Sequence, residues 1–466
     1  MMKEMKKIIG ILLCVAMLFG FAACGQPTVP SDTSGAPNSG AETASTSPSQ
    51  EDRITITFSL WGDPAEQETT QKVLDVYNGL QDKVYVKALQ IGRDEYNEKL
   101  QTMATSGEMP DCGMVAEDTV IGWAKDGLLS DVDIYAGQEN LPLDYLAFKY
   151  EGKTVAYSAA NEVLGLWYNK KMFDDAGVAY PSATLDGAWS WDEFIEVAKK
   201  LTLDANGKHP GEDGFDENNI VQYGAYVNQY TWQLEVWALS NGGSFFSPDG
   251  KSVTFDDAAI EAIQKVVDLH LVEHVAPLND GTQDNGFASS LGAGNVAMCT
   301  EGQWATGFRA GLDGIDYGVG VLPYMKQKVN ICTGGPTGVF ATTQHPEEAA
   351  DFLRWYNSED NNMTTIMAGW WMPTKLNWYT DPALLKSWVD DCELRQPLTA
   401  EAYKTAIVDV ALDFDVTKST AWYYTPNTYE IYNVLRPAMV EAINGSKTVE
   451  EVIAETHDAM QTALDG

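Results

Sequence analysis

The order of short strand and helix signals between residues 54 and 115 narrows the fold most. Ile54-Thr55-Ile56-Thr57-Phe58-Ser59-Leu60-Trp61 alternates apolar and polar residues with β-branched types prominent, which is the pattern of a strand. Gly62-Asp63-Pro64 breaks it. Proline suits the first turn of a helix, and helical spacing then runs to Tyr77. A strand at 84–86, a helix at 94–106 stopped by Gly107, and an apolar strand at 112–115 follow. Parallel neighbours need a crossover element between them, so this alternation predicts a layered α/β fold with largely parallel sheets. The pattern returns with a strand at 164–169, a helix at 171–176 ended by Gly177, and a helix at 191–201. Ser190 caps that last helix, with Glu193 at the capping-box position. Ile260, Ile263, Val266, Val267 and Leu271 recur at three- and four-residue spacing, which predicts an amphipathic helix over 256–271. The last third is mostly helical, at 346–356, 400–410, 428–443 and 449–464, and there is no internal repeat.

The N-terminus constrains location rather than fold. Lys3, Lys6 and Lys7 precede an apolar run from 8 to 21, which ends at Phe21-Ala22-Ala23-Cys24. A basic start, a short apolar run and small residues before a cut mark an export signal. The cysteine after Ala22-Ala23 resembles a bacterial lipobox, in which the thiol is lipidated. The expectation is a signal peptide at 1–23, then lipidated Cys24 and a flexible tether to residue 52. The tether is rich in Pro, Ser, Thr and Gly, with too little apolar surface to offset the entropy of ordering it. The roughly 415 residues beyond exceed one hydrophobic core, which predicts two lobes.

Sixty-seven acidic against 30 basic residues give a net charge of −37. Such a chain does not seek nucleic-acid phosphates. Cys112, Cys299, Cys332 and Cys392 lack C-x-x-C or zinc-ligand spacing and are expected as small buried hydrophobes rather than disulfides. Enzyme motifs are missing: there is no G-x-S-x-G, H-E-x-x-H, Walker A or well-placed G-x-G-x-x-G. His270 and His274 share a helix face without a third ligand at recognised spacing, and the Asp204–Lys208 run departs from a calcium loop, so no metal or cofactor is expected. A carboxylate pair across one cleft would suit a glycoside hydrolase or another polysaccharide-acting enzyme. A surface adhesin is a third class. What stands out is aromatic placement. Trp61, Tyr230, Trp232, Trp304, Trp370 and Trp371 sit beside Gly, Pro or element ends, where rings can face a cleft and pack on the C–H faces of sugars.

Several segments together resemble the extracellular solute-binding proteins of bacterial ABC importers. They are Tyr96-Asn97-Glu98-Lys99-Leu100 through Gly107-Glu108-Met109-Pro110-Asp111, Tyr168-Asn169-Lys170-Lys171-Met172-Phe173 with Ala176-Gly177, Trp189-Ser190-Trp191-Asp192-Glu193-Phe194, Asn241-Gly242-Gly243, and Asn295-Val296-Ala297-Met298 through Gly302-Gln303-Trp304. The resemblance implies a two-lobed fold, each lobe a mainly parallel sheet flanked by helices, with three hinge crossings. These should lie near 158–162, 333–336 and 368–373. It implies one lobe at 53–159 plus 335–369 and another at 160–334 plus 370–466. It further implies capture of a carbohydrate by hinge closure, with Asp63, Asp118, Glu162 and Glu301 as hydroxyl-binding carboxylates and the six aromatics above as ring contacts. Trp304 matches the stacking position. The implied partners are an oligosaccharide and the permease of an ABC transporter, for a monomer tied to the outer membrane face by lipid alone.

Overall fold

The computed structural model describes residues 53–62, 64–131, 143–278, 291–312, 314–392 and 396–466. Cys24, the tether and Asp63 lie outside them. In chain order the first six strands are β1 (Ile54–Leu60), β2 (Val84–Gln90), β3 (Cys112–Met114), β4 (Ala147–Tyr150), β5 (Lys153–Ser158) and β6 (Leu164–Asn169). They are followed by β7 (Leu203–Asp204), β8 (Ile220–Tyr226), β9 (Val296–Gly302), β10 (Tyr317–Gly320), β11 (Asn330–Cys332), β12 (Pro336–Val339) and β13 (Thr417–Ser419).

Two sheets organise these strands, one to each lobe. The first runs β2-β1-β3-β12-β5-β4 and the second β10-β6-β9-β8-β7, while β11 and β13 pair separately. The expected parallel pairing holds where helices connect neighbours, in β1 with β2 and β3, and in β8 with β9. Elsewhere the sheets are more mixed than parallel. β12 enters between β3 and β5 antiparallel to both, because the chain arrives there from the second lobe. β4 and β5 form a hairpin, and β6 lies antiparallel to β9 and β10.

Each sheet buries its apolar face under helices. Phe58 of β1 packs on Phe352 and Tyr356 of the helix Pro346–Tyr356, with ring centroids 5.3 and 4.9 Å apart. In the second lobe Trp191 meets Trp237 edge-on at 5.0 Å, joining the helices Trp191–Leu201 and Thr231–Ser240. The capping box forms as expected: the Glu193 carboxylate accepts from the Ser190 backbone N–H at 2.8 Å, and Ser190 Oγ accepts from Glu193 N–H at 3.3 Å. The helix expected at 400–410 divides into Ala400–Tyr403, a wide π-type turn Lys404–Val408, and Asp409–Ala411. Ala406, Ile407 and Val408 are all buried in succession, which a regular one-faced helix does not allow. All four cysteines among the described residues are buried and free, as expected.

Candidate functional site

The site is built on the segments that carry the chain between the two sheets. After β5 the backbone at 159–163 runs antiparallel to the link between β11 and β12. Ala160 N–H donates to Gly334 O at 3.0 Å, and Glu162 and Thr333 exchange two bonds of 3.0 Å. Asn161 N–H donates to Met372 O at 3.2 Å, which draws in the segment after Trp370-Trp371. Gly334 is required here because a Cβ would lie 1.9 Å from the Ala160 carbonyl oxygen. Gly335 adopts φ +54° below the Trp61 ring.

Two buried carboxylates fasten these segments. Glu117 opens the helix Glu117–Lys125, and its Oε1 accepts from Thr333 Oγ1 at 2.8 Å, Gly335 N–H at 2.9 Å and Gly334 N–H at 3.3 Å. Glu359 Oε1 accepts from Thr374 N–H, Thr374 Oγ1 and Lys375 N–H at 2.8–2.9 Å, and Lys375 Nζ lies 3.3 Å from its other oxygen.

Glu162 and Asp118 stand beside this frame. Glu162 is 9% exposed, and its Oε1 lies 3.5 Å from Gln303 Nε2. Burial, then the like charges of Glu117 and Glu66, hold its carboxyl well above the ordinary range. Asp118 is pushed up to about 7 by burial and then by Glu117, with Arg436 and Arg93 opposing. Its Oδ1 has no hydrogen-bond partner among the described residues. The Arg93 guanidinium lies 4.7 Å over the Trp61 ring. Asp63, the first expected hydroxyl ligand, lies outside the described residues.

The aromatic residues divide. Trp304 is half-buried, with its ring lying over Gly302, where a Cβ would approach it to 2.1 Å. Trp232 lies 6.2 Å from Trp304 and 5.6 Å from Trp422, so three indoles gather on the second lobe. Tyr230 precedes them at the start of the helix Thr231–Ser240. The other expected contacts sit in packed surroundings. Trp61 meets Tyr96 edge-on at 5.1 Å, Trp371 meets Tyr356 edge-on at 5.6 Å, and the Trp370 ring covers Gly307. Glu301 is buried, with Oε1 accepting from Gly302 N–H and its carbonyl accepting from Trp167 Nε1.

Sequence reasoning missed Glu117, Gln303 and Trp422. Trp422 lies in Trp422-Tyr423-Tyr424 just before Thr425-Pro426, the same aromatic-beside-proline signal that selected the others. Glu117 carried no signal, since only its distant partners reveal it. The Asp204 carboxylate accepts backbone N–H groups of Asn206, Lys208 and Asp216, which closes a polar loop. Among the described residues no group of three or more His, Cys, Asp or Glu side chains is placed to hold a metal.

Known proteins share this architecture. The model of the bacterial extracellular solute-binding protein family matches residues 61–363. A maltotriose-binding protein of Pyrococcus abyssi is 24% identical over 306 residues, which is 63% of this chain and 60% of that one. The chain thus spans less than two thirds of that relative's length. An ABC substrate-binding protein of Listeria monocytogenes, solved with cycloalternan, superposes with a TM-score of 0.73 at 20% identity over 89% of this chain and all of that one. A maltose/maltodextrin-binding domain of Bdellovibrio bacteriovorus, solved with maltotriose, gives 0.71 at 18% identity over 89% of this chain and all of that one. Two sheets joined by paired crossing segments, with a match over most of the folded chain, make this protein a member of the bacterial extracellular solute-binding protein family.

Proposed function

We infer that this chain captures a neutral carbohydrate, probed best as an oligosaccharide, between its lobes and delivers it to the permease of an ABC importer. The observation carrying this reading is the cluster of Trp232, Trp304 and Trp422, with Gln303, the neighbour of Trp304, reaching Glu162 and the helix that carries Asp118 packed on the turn that carries Trp422. Indole faces bury the apolar side of a sugar ring, and carboxylates accept from its hydroxyls. The maltotriose and cycloalternan bound by the proteins above support the same class of ligand. Binding needs no covalent step, and the family is one of solute-binding proteins, so in this reading the chain acts as a receptor rather than an enzyme. Ligand touches both lobes only when they close, so it shifts the population towards the closed state.

In this reading the first lobe comprises 53–159 and a return segment that begins at 335 and runs past 370. The last passage to the second lobe falls later than residue 370, because the helix Pro382–Trp388 packs on Glu359–Met367, whereas Ala400–Tyr403 packs on β10. The protein acts as a monomer outside the cell membrane, tethered through lipid on Cys24. Among the described residues no helix is long and apolar enough to cross a membrane. Replacing Cys24 by alanine should release the protein from the membrane fraction or leave it unprocessed, and normal processing with unchanged membrane retention would refute the anchor. For the ligand, melting temperature and radius of gyration are measured with maltotriose, mannotriose and an anionic sugar phosphate. A neutral saccharide should raise the first and reduce the second. A response to the phosphate alone would overturn the carbohydrate assignment.

A further inference from the structure

Glu235 occupies a place where a carboxyl group is hard to keep. It lies on the helix Thr231–Ser240, is 4% exposed, and has Leu234, Val236, Trp237 and Ala238 as buried neighbours along the chain. Burial lifts its carboxyl to about 8, and the bond from the Ala421 N–H opposes that only in part. Among the described residues Tyr424 and Tyr432 are titratable groups close enough to feel its charge. Oε1 accepts from Ala421 N–H at 2.9 Å, while Oε2 has no partner among the described residues. An apolar side chain of similar volume would avoid the desolvation. What the carboxyl adds is one directed bond to the turn Ala421–Tyr423.

That turn faces two ways. Trp422 is also 4% exposed and sits 5.6 Å from Trp232. Tyr423 stacks on Phe148 of β4 at 4.1 Å and 17°, with its hydroxyl 3.3 Å from Ser158 Oγ of β5. Trp232 and Glu235 are three residues apart and therefore share a face of their helix. One helix face thus presents an indole and holds the backbone beside a second indole.

We propose that Glu235 is a positioning residue of the cleft, whose bond to Ala421 seats Trp422 against Trp232 while Tyr423 ties the same turn to the first sheet. Its consequence for affinity rests on the carbohydrate reading, and its structural consequence does not. The test uses the full chain and the variants Glu235→Gln, Glu235→Leu and Trp422→Phe. Near-ultraviolet circular dichroism without ligand reads the indole pair, and titration uses maltotriose or mannotriose, whichever saturates the parent protein. Glu235→Gln keeps an acceptor at Oε1 and should match the parent in both measurements. Glu235→Leu should lose the signal that Trp422→Phe loses and bind about tenfold more weakly, the scale of an interface aromatic. Adding it to Trp422→Phe should weaken binding little further. If Glu235→Leu does not fold, Ala421→Pro removes the bonded N–H and should give the same loss. A dichroism signal intact in a folded Glu235→Leu, or in Ala421→Pro, overturns the proposal. So do binding losses that add in full in the double variant. If neither sugar binds the parent, the carbohydrate reading fails, and dichroism alone decides the role of Glu235.

Discussion

Adjacent residues Glu117 and Asp118 show what a sequence can and cannot disclose at the scale of one side chain. Asp118 drew attention because it follows a strand at a place where the resemblance implies a ligand group, and its ligand role is part of the proposal above. Glu117 was not, although its carboxylate accepts three bonds from a segment more than 200 residues away. Removing an acceptor from buried donors costs about 1–3 kcal/mol for a group left unpaired. Glu117→Ala should therefore lower stability by about 3 kcal/mol, measured by urea denaturation, whereas Glu117→Gln retains an acceptor and should lose less. A loss under about 0.5 kcal/mol, the size of an ordinary surface change, would mean that water replaces the bonds. Among the aromatics, local context selected Trp304 and Trp232, which do gather, and equally Trp371, which packs on Tyr356. Proximity to glycine or proline marks element ends but does not say which way a ring turns. Trp304→Ala should weaken saccharide binding by about 2 kcal/mol by calorimetric titration, with the fold retained; unchanged affinity would assign the ring to packing.

At the scale of elements, helices with local punctuation were read well and short strands poorly. Ser190 and Glu193 announced the start of Trp191–Leu201, and both reciprocal bonds form. The box is exposed and independent of the cleft, so Ser190→Ala should cost about 1 kcal/mol of stability without changing affinity. A coupled loss of binding would show that this helix start communicates with the site. By contrast, β11, β12 and β13 have three or four residues each and exist through their partners, with β11 pairing to β13 across more than 80 residues. No periodicity develops in so short a run, so such strands are invisible to pattern. The π-type turn at Lys404–Val408 was likewise unreadable, since its cause is the buried surroundings of three consecutive apolar residues.

At the scale of the whole molecule, the buried carboxyls make stability depend on pH in a direction opposite to that of most salt-bridged proteins. Glu235 is held up to about 8 and Asp118 to about 7, and Glu162 is well above the ordinary range, in each case chiefly through burial. The folded state therefore binds these protons more tightly than the unfolded chain. Their stabilising contribution is complete below the ordinary carboxylate range and is lost as pH rises through 7 to 8. Glu261 works the other way: the Asn241 hydrogen bond, then Lys265, pulls its carboxyl down to about 2, so its contribution disappears only as pH falls towards 2. Because Glu261 is largely solvated, that contribution is screened and small. The surplus of 37 negative charges adds repulsion as pH rises and strengthens the trend. Melting temperature should thus be highest near pH 5 and fall between pH 6 and 8.5. A one-unit shift corresponds to about 1.4 kcal/mol, so a fall of several degrees is expected for a chain of this size. Combining Glu235→Gln with Asp118→Asn and Glu162→Gln should flatten the profile above pH 6. A parent profile that stays level or climbs across that interval would mean that these carboxyls are solvated in the folded protein.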